Sequence, residues 1–127
     1  MATQPRDKTP QKNHPAKFTE KEATFLMENN LARIATVSAR GQPHVVPIIY
    51  EFDGSYLYFS GWNLTQSLMY KQIAHNSKVA MVVDENPGSP TPWDARGIEI
   101  RGVAEIMQCH NSSYVRITPV KSVSWGL

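Results

Sequence analysis

Pro43-His44-Val45-Val46-Pro47-Ile48-Ile49-Tyr50-Glu51-Phe52 is the stretch on which the fold turns. Its even positions, His44, Val46, Ile48, Tyr50 and Phe52, make a core-facing row at the period-2 spacing of a strand. Its odd positions, Pro43, Val45, Pro47, Ile49 and Glu51, are also largely apolar, although a hairpin strand on a small barrel shows water one polar face. Both faces therefore want cover. The outer one meets a second subunit, a flat ligand, or terminal helices of its own chain. Pro47 removes a ladder hydrogen bond, which suits an edge, a bulge or a docking place.

Reading outward, Asp53-Gly54 is a strong two-residue turn signal, and Ser55–Ser60 is the next strand. Upstream, Ala39-Arg40-Gly41-Gln42 turns the chain back to a strand over Leu31–Ser38. Before that, Thr19-Glu20-Lys21-Glu22 is a capping-box pattern opening a short helix that Asn29-Asn30 ends. Downstream, Asn63–Asn76 reads as a helix capped by Asn63 or Thr65, and Val79–Val83 as a short buried strand. Asp84–Asp94 holds Pro87, Gly88, Pro90 and Pro92, so it is expected to be a loop. Gly97–Ile106 is the clearest strand, with Ile98, Ile100, Ala104 and Ile106 alternating against Glu99, Arg101 and Glu105. Tyr114–Pro119 and Val120–Trp125 finish in extended form. Short strands joined by tight turns, with few helices, point to a mainly β protein, an antiparallel barrel rather than a parallel sheet.

The 127 residues suffice for one core, expected over residues 18–127. With 41% hydrophobic and 19% charged residues the composition is that of a soluble globular chain. The longest apolar run, Val45–Tyr50, is far below the roughly 18 residues that span a bilayer. No membrane association is expected, and residues 1–17 carry no secretory signal. The single cysteine, Cys109, excludes an internal disulfide framework and favours the cytoplasm. The formal net charge of +2 is concentrated in residues 1–17, where Arg6, Lys8, Lys12 and Lys17 stand against Asp7. That segment reads as a solvated, disordered leader. The rest of the chain is near neutral, with no basic face for nucleic acid.

Nucleotide-loop, CxxC and HExxH motifs are absent, and His14, His44, His75 and His110 have no metal-ligand spacing. Cys109 and His110 are neighbours on a segment read as extended, which points them to opposite faces. Asp84-Glu85 reads as a solvated loop start. Any chemistry must then come from a cofactor. Asn63–Lys71 follows a strand, opens a helix and carries Thr65, Ser67 and Lys71, a combination that can cradle a phosphate or simply cap the helix. No side chain reads as a committed general acid, and Tyr50 and Lys71 come nearest to a proton donor.

Taken together, these residues resemble a known family. Leu31–Ser38 with Gly41–Pro47 looks like the opening hairpin of the pyridoxamine-5′-phosphate-oxidase-like split β-barrel proteins. Asn76-Ser77-Lys78-Val79-Ala80 is similar to the family's NPxVA segment. Arg96–Glu105 resembles the RGVEIRGxAE strand of its deazaflavin-dependent branch, and Val115–Pro119 with Ser122–Gly126 resembles that branch's IRIxP…SWG ending. The resemblance implies a homodimeric split β-barrel of about six strands with two or more short helices. It further implies FMN or the deazaflavin coenzyme F-420 bound in each of two grooves between subunits. A hydride would pass between that cofactor and a small organic substrate. By position, Pro47, Ile48 and Ile49 would flank the ring, Ser60, Thr65, Gln66, Ser67 and Lys71 would hold the phosphate, and Trp125 would approach the partner's site. The family's basic TxRKxRN stretch is reduced here to Ser67-Leu68-Met69-Tyr70-Lys71-Gln72, a single cation. That thinning leaves a second expectation open: a protein of the same fold that binds a flavin or another flat ligand without turnover.

Overall fold

A computed structural model describes residues 15–88 and 94–127. Within them are α1 (Glu20–Glu28), β1 (Leu31–Val37), β2 (Pro43–Ile49), β3 (Glu51–Phe52), β4 (Leu57–Phe59), a 3₁₀ turn (Leu64–Gln66), α2 (Leu68–His75), β5 (Lys78–Glu85), β6 (Arg96–Cys109) and β7 (Ser112–Trp125). The seven strands form one antiparallel sheet in the order β2-β1-β5-β6-β7-β4-β3. This is the expected mainly β split barrel, and its closure follows from that order. β2 and β3 lie at opposite edges of the sheet, yet only Tyr50 separates them in the chain. The sheet must therefore curl until its two edges meet at that residue.

The single strand expected over Pro43–Phe52 is thus two, broken at Tyr50, and this break raises the strand count to seven. Its alternation is nevertheless real: the row from His44 to Phe52 turns inward, while Pro43, Val45, Pro47, Ile49 and Glu51 are exposed. Neither α1 nor α2 covers that outer face. Tyr50 holds the junction, its backbone amide donating to the Asn30 carbonyl at 2.9 Å and its hydroxyl to the Leu26 carbonyl at 2.7 Å.

The core lies inside the curl, where Leu26, Ile34, Leu57, Met81, Val83, Ile98, Ile100, Val115 and Ile117 are fully buried or nearly so. α1 docks on it through the capping box: the Thr19 amide donates to Glu22 Oε1 and the Glu22 amide to Thr19 Oγ1. The second Glu22 oxygen accepts from the Ser124 hydroxyl at 2.7 Å, joining α1 to the end of β7. α2 is held by a buried bond from the Thr36 hydroxyl to Gln72 Oε1.

Three further expectations are corrected. The helix read over Asn63–Asn76 is a 3₁₀ turn followed by α2, divided at Ser67, whose extended backbone (φ −73°, ψ 151°) cannot continue a helix. Ser67, rather than Asn63 or Thr65, is the cap, accepting from the Tyr70 amide. The two terminal extended segments are one strand, β7, with a bulge opposite Arg101/Gly102 that leaves Val120 unpaired. A Cβ at Gly102 would lie 2.5 Å from the Thr118 carbonyl oxygen, which explains glycine at the bulge. The loop expected from Asp84 starts later: Asp84 and Glu85 belong to β5, facing Arg33 and Arg96 in ion pairs. Residues 89–93 of that loop, and residues 1–14 of the expected leader, lie outside the described residues. Within residues 15–17 the Ala16 amide donates to the Pro119 carbonyl at 2.9 Å.

Candidate functional site

Where β4 pairs with β7, Phe59 lies opposite Val115, so the chain leaving β4 at Ser60 runs beside the start of β7. That start is fixed by a tight hairpin whose turn residues, His110 (φ 51°) and Asn111 (φ 70°), both take the left-handed conformation that two-residue hairpins require. Cys109 and Ser112 thereby become cross-strand partners, and His110 is a turn residue rather than part of an extended segment.

These elements enclose a trough with two lobes. One, of about 630 Å³, is lined by Ile49, Glu51, Tyr58, Phe59, Ser60, Cys109, Ser112, Ser113 and Tyr114. The other, of about 460 Å³, is lined by Ser60, Gly61, Trp62, Asn63, Leu64, Thr65, Ser112 and Ser113. Ser60, Ser112 and Ser113 belong to both, so a belt of hydroxyls joins an aromatic lobe to a polar one. The Tyr58 and Tyr114 rings stand 6.2 Å apart and tilted by 51°. The Tyr58 hydroxyl donates to Asp53 Oδ2 at 2.8 Å. Burial, reinforced by that bond, pushes the Tyr58 hydroxyl above its usual range. Burial alone would raise the Asp53 carboxyl, but the Tyr56 and Ser55 amides and the Tyr58 hydroxyl outweigh it and hold it below the usual carboxylate range. Glu51 is the charged side chain among the described lining residues.

Of the residues expected at the site, Ile49, Ser60 and Thr65 line this trough. Pro47 lies exposed on the outer face of β2. Ile48 points the other way and packs against the core, so the two side chains cannot flank one ring from the same side. Gln66 is exposed and closes the 3₁₀ turn through its amide to Asn63. The Ser67 hydroxyl is engaged in capping α2, accepting from Tyr70 and donating to the Leu64 carbonyl. Lys71 is exposed on α2, and Trp125 packs on Gly97 at the far side of the sheet. As for proton donors, Tyr50 is buried against Leu26, and burial raises its hydroxyl far above its usual range; it does not line the trough. Sequence reasoning missed Tyr58, Tyr114, Ser112, Ser113 and Trp62, which the β4–β7 pairing gathers. His110-Asn111 was the available signal, since left-handed turns favour Asn.

A shallow apolar depression of about 510 Å³ lies on the outer face of the sheet, with Ala35, Val37, Pro43, Ala80 and Val120 in it and Lys78 and Arg101 at its rim. Val45, Ile49, Val123 and Trp125 extend this exposed apolar surface, with Val45 63% and Ile49 59% exposed. Among the described residues no helix is long and apolar enough to cross a membrane, and no group of His, Cys, Asp and Glu side chains could hold a metal ion.

Residues 18–121 match the pyridoxamine 5′-phosphate oxidase family, and the chain belongs to that split-barrel family. Over 120 residues it is 32% identical to the 5a,11a-dehydrotetracycline/5a,11a-dehydrooxytetracycline reductase of Streptomyces rimosus subsp. rimosus, covering 87% of this chain and 84% of that protein. The fold is also that of a conserved hypothetical protein from Mycobacterium tuberculosis, with a TM-score of 0.70 and 19% identity over 87% of this chain and 86% of the other. An F-420 reductase superposes with a TM-score of 0.67 at 22% identity, covering 84% of this chain and 98% of the other. An FAD-binding protein from Mesorhizobium loti gives 0.67 at 18% identity, covering 84% and 93%.

Proposed function

We propose that this chain is an oxidoreductase that works with a bound flavin or deazaflavin, FMN or coenzyme F-420, on a small organic substrate. The observation that carries the reading is the two-lobed trough, whose aromatic lobe of about 630 Å³ suits a planar ring system and whose hydroxyl belt suits a polyol chain. Similarity to a named reductase along most of the chain supports the class of reaction. When bound, the cofactor supplies hydride transfer, and the chain supplies position and shelter. Ile49, Tyr58 and Tyr114 would wall the ring, while Ser60, Thr65, Ser112 and Ser113 would hydrogen-bond its side chain. Excluding water from the walled face favours transfer across the open one.

A second copy of the chain completes the site in this reading. Val45, Pro47, Ile49, Val123 and Trp125 are exposed apolar side chains on the outer face of the sheet, which a homodimer would cover. Pro47 and Trp125 would reach a cofactor only in that assembly. Ile48 and Ser67 would act behind the site, by packing and by capping α2. Gln66 and Lys71 would touch only a cofactor end that leaves the trough.

Denaturing the purified protein and measuring the absorbance and mass of what it releases, then titrating the ligand-free form with FMN and with coenzyme F-420, tests the reading. Binding of one of them is expected; no binding of either below about 100 µM overturns it. One observation favours a carrier without turnover, namely that Tyr50 and Lys71 stand away from the trough. Tight binding without hydride exchange toward quinones and enones would select that alternative.

A further inference from the structure

We propose that the trough recognises the uncharged part of its cofactor, ring and polyol, and leaves the phosphate in solvent, so that the phosphate-free ligand binds about as tightly as the phosphorylated one. This inference rests on the cofactor reading above.

It begins with charge. Across both lobes the described lining residues include one ionisable carboxylate, Glu51, and no lysine or arginine. Arg116, two residues beyond Tyr114 and paired across from Tyr58, is outside the lining and is engaged by Glu105 at 2.7 Å and by the Tyr56 ring. Lys71 is exposed on α2, also outside the lining, and its amide is already taken by the Ser67 carbonyl. The Ser67 hydroxyl is occupied on both sides, accepting from one backbone group and donating to another. The start of α2 therefore offers no free hydroxyl of its own. A phosphate drawn into the polar lobe would lose water without gaining a charge-assisted bond from the residues that line it, the kind of bond worth about twice a neutral one.

The neutral groups point the other way. Ser60, Thr65 and Ser112 line the lobes, and their hydroxyls have no partner among the described residues. Ser113 keeps donor capacity, since its oxygen accepts from Gln108 at 2.9 Å. Hydroxyls that can both donate and accept match a chain of hydroxyls, exchanging one set of neutral hydrogen bonds for another at little cost. Thus the polar lobe fits a ribityl chain and not the anion at its end.

The test titrates the full-length, ligand-free protein with FMN and riboflavin, and with coenzyme F-420 and its phosphate-free ribityl fragment, each at 50 and 500 mM NaCl. Within whichever pair binds, the two dissociation constants should agree within about threefold, and salt should move the phosphorylated ligand by less than about twofold. Gly61→Lys, at a lining position where a Cβ meets nothing within 4 Å, places a cation in the lobe without removing a hydroxyl. It should tighten the phosphorylated ligand about tenfold and leave its neutral counterpart unchanged. A phosphorylated ligand at least about tenfold tighter than its counterpart, and weakened by salt, overturns this inference alone. Binding by no member of either pair overturns the cofactor reading beneath it.

Discussion

The central ladder of the sheet and its closing strands are built on different terms. β6 and β7 run side by side for 14 residues each and present Ile98, Ile100, Val115 and Ile117 to the core. β3 and β4, which complete the curl, are two and three residues long. The first region is secured by pairing and buried hydrocarbon. The second buries only Leu57 and Phe59 of β4 and adds single polar anchors, Tyr50 at the junction and Asp53 at the turn. The trough forms where the two meet, between the end of the β6–β7 ladder at Cys109–Tyr114 and the short closing strands, which leave hydroxyls unoccupied near the surface while the ladder stays rigid.

Mutations can break this contrast, and the largest effect belongs to the ladder. Ile98→Ala, at a fully buried position, should cost about 2–5 kcal/mol in urea unfolding, because the rigid sheet collapses poorly around the void. Tyr50→Phe removes the bond to the Leu26 carbonyl and leaves that oxygen buried, for a loss of about 1–3 kcal/mol. If the closing strands depend on that anchor, hydrogen exchange should rise in β3 and β4 while β6 stays protected. Ser112→Ala should weaken cofactor binding by about threefold to tenfold with an unchanged melting temperature, since its hydroxyl serves the trough and not the core.

The smallest effect concerns the turn. The Asp53 carboxyl is held below its ordinary range in the fold, so its contribution is present at neutral pH and fades as acid protonates it below about pH 4. Asp53→Asn should remove that acid-side dependence. It should also bring the Tyr58 hydroxyl, which Asp53 helps hold high, back toward its usual titration range, read by ultraviolet absorbance in alkali.

What could be read in the chain followed the same division. The capping box at Thr19 and Glu22 and the alternation along β6 are local patterns, and both stand as expected. The break at Tyr50 was invisible because alternation runs through it undisturbed; only pairing with distant β4 moves Glu51 and Phe52 to the other edge. Ser67 was hidden among three capping residues, Asn63, Thr65 and Ser67, any of which could open a helix. At the site, Ile49 was legible in the apolar outer row of β2, and Ser60 and Thr65 in the strand–helix connection that the family resemblance singles out. Tyr58, Ser112 and Tyr114 were not, since they meet only through β4–β7 pairing across more than fifty residues of chain.

The one-residue link between the two sheet edges carries an evolutionary consequence. Insertions in the Ala39–Gln42 turn merely lengthen a loop, but one extra residue beside Tyr50 would invert which side chains of β3 face inward relative to β2. Ile49 and Glu51 could then no longer share a wall. Length variation among descendants of this chain should therefore collect at the hairpin tips and spare the junction.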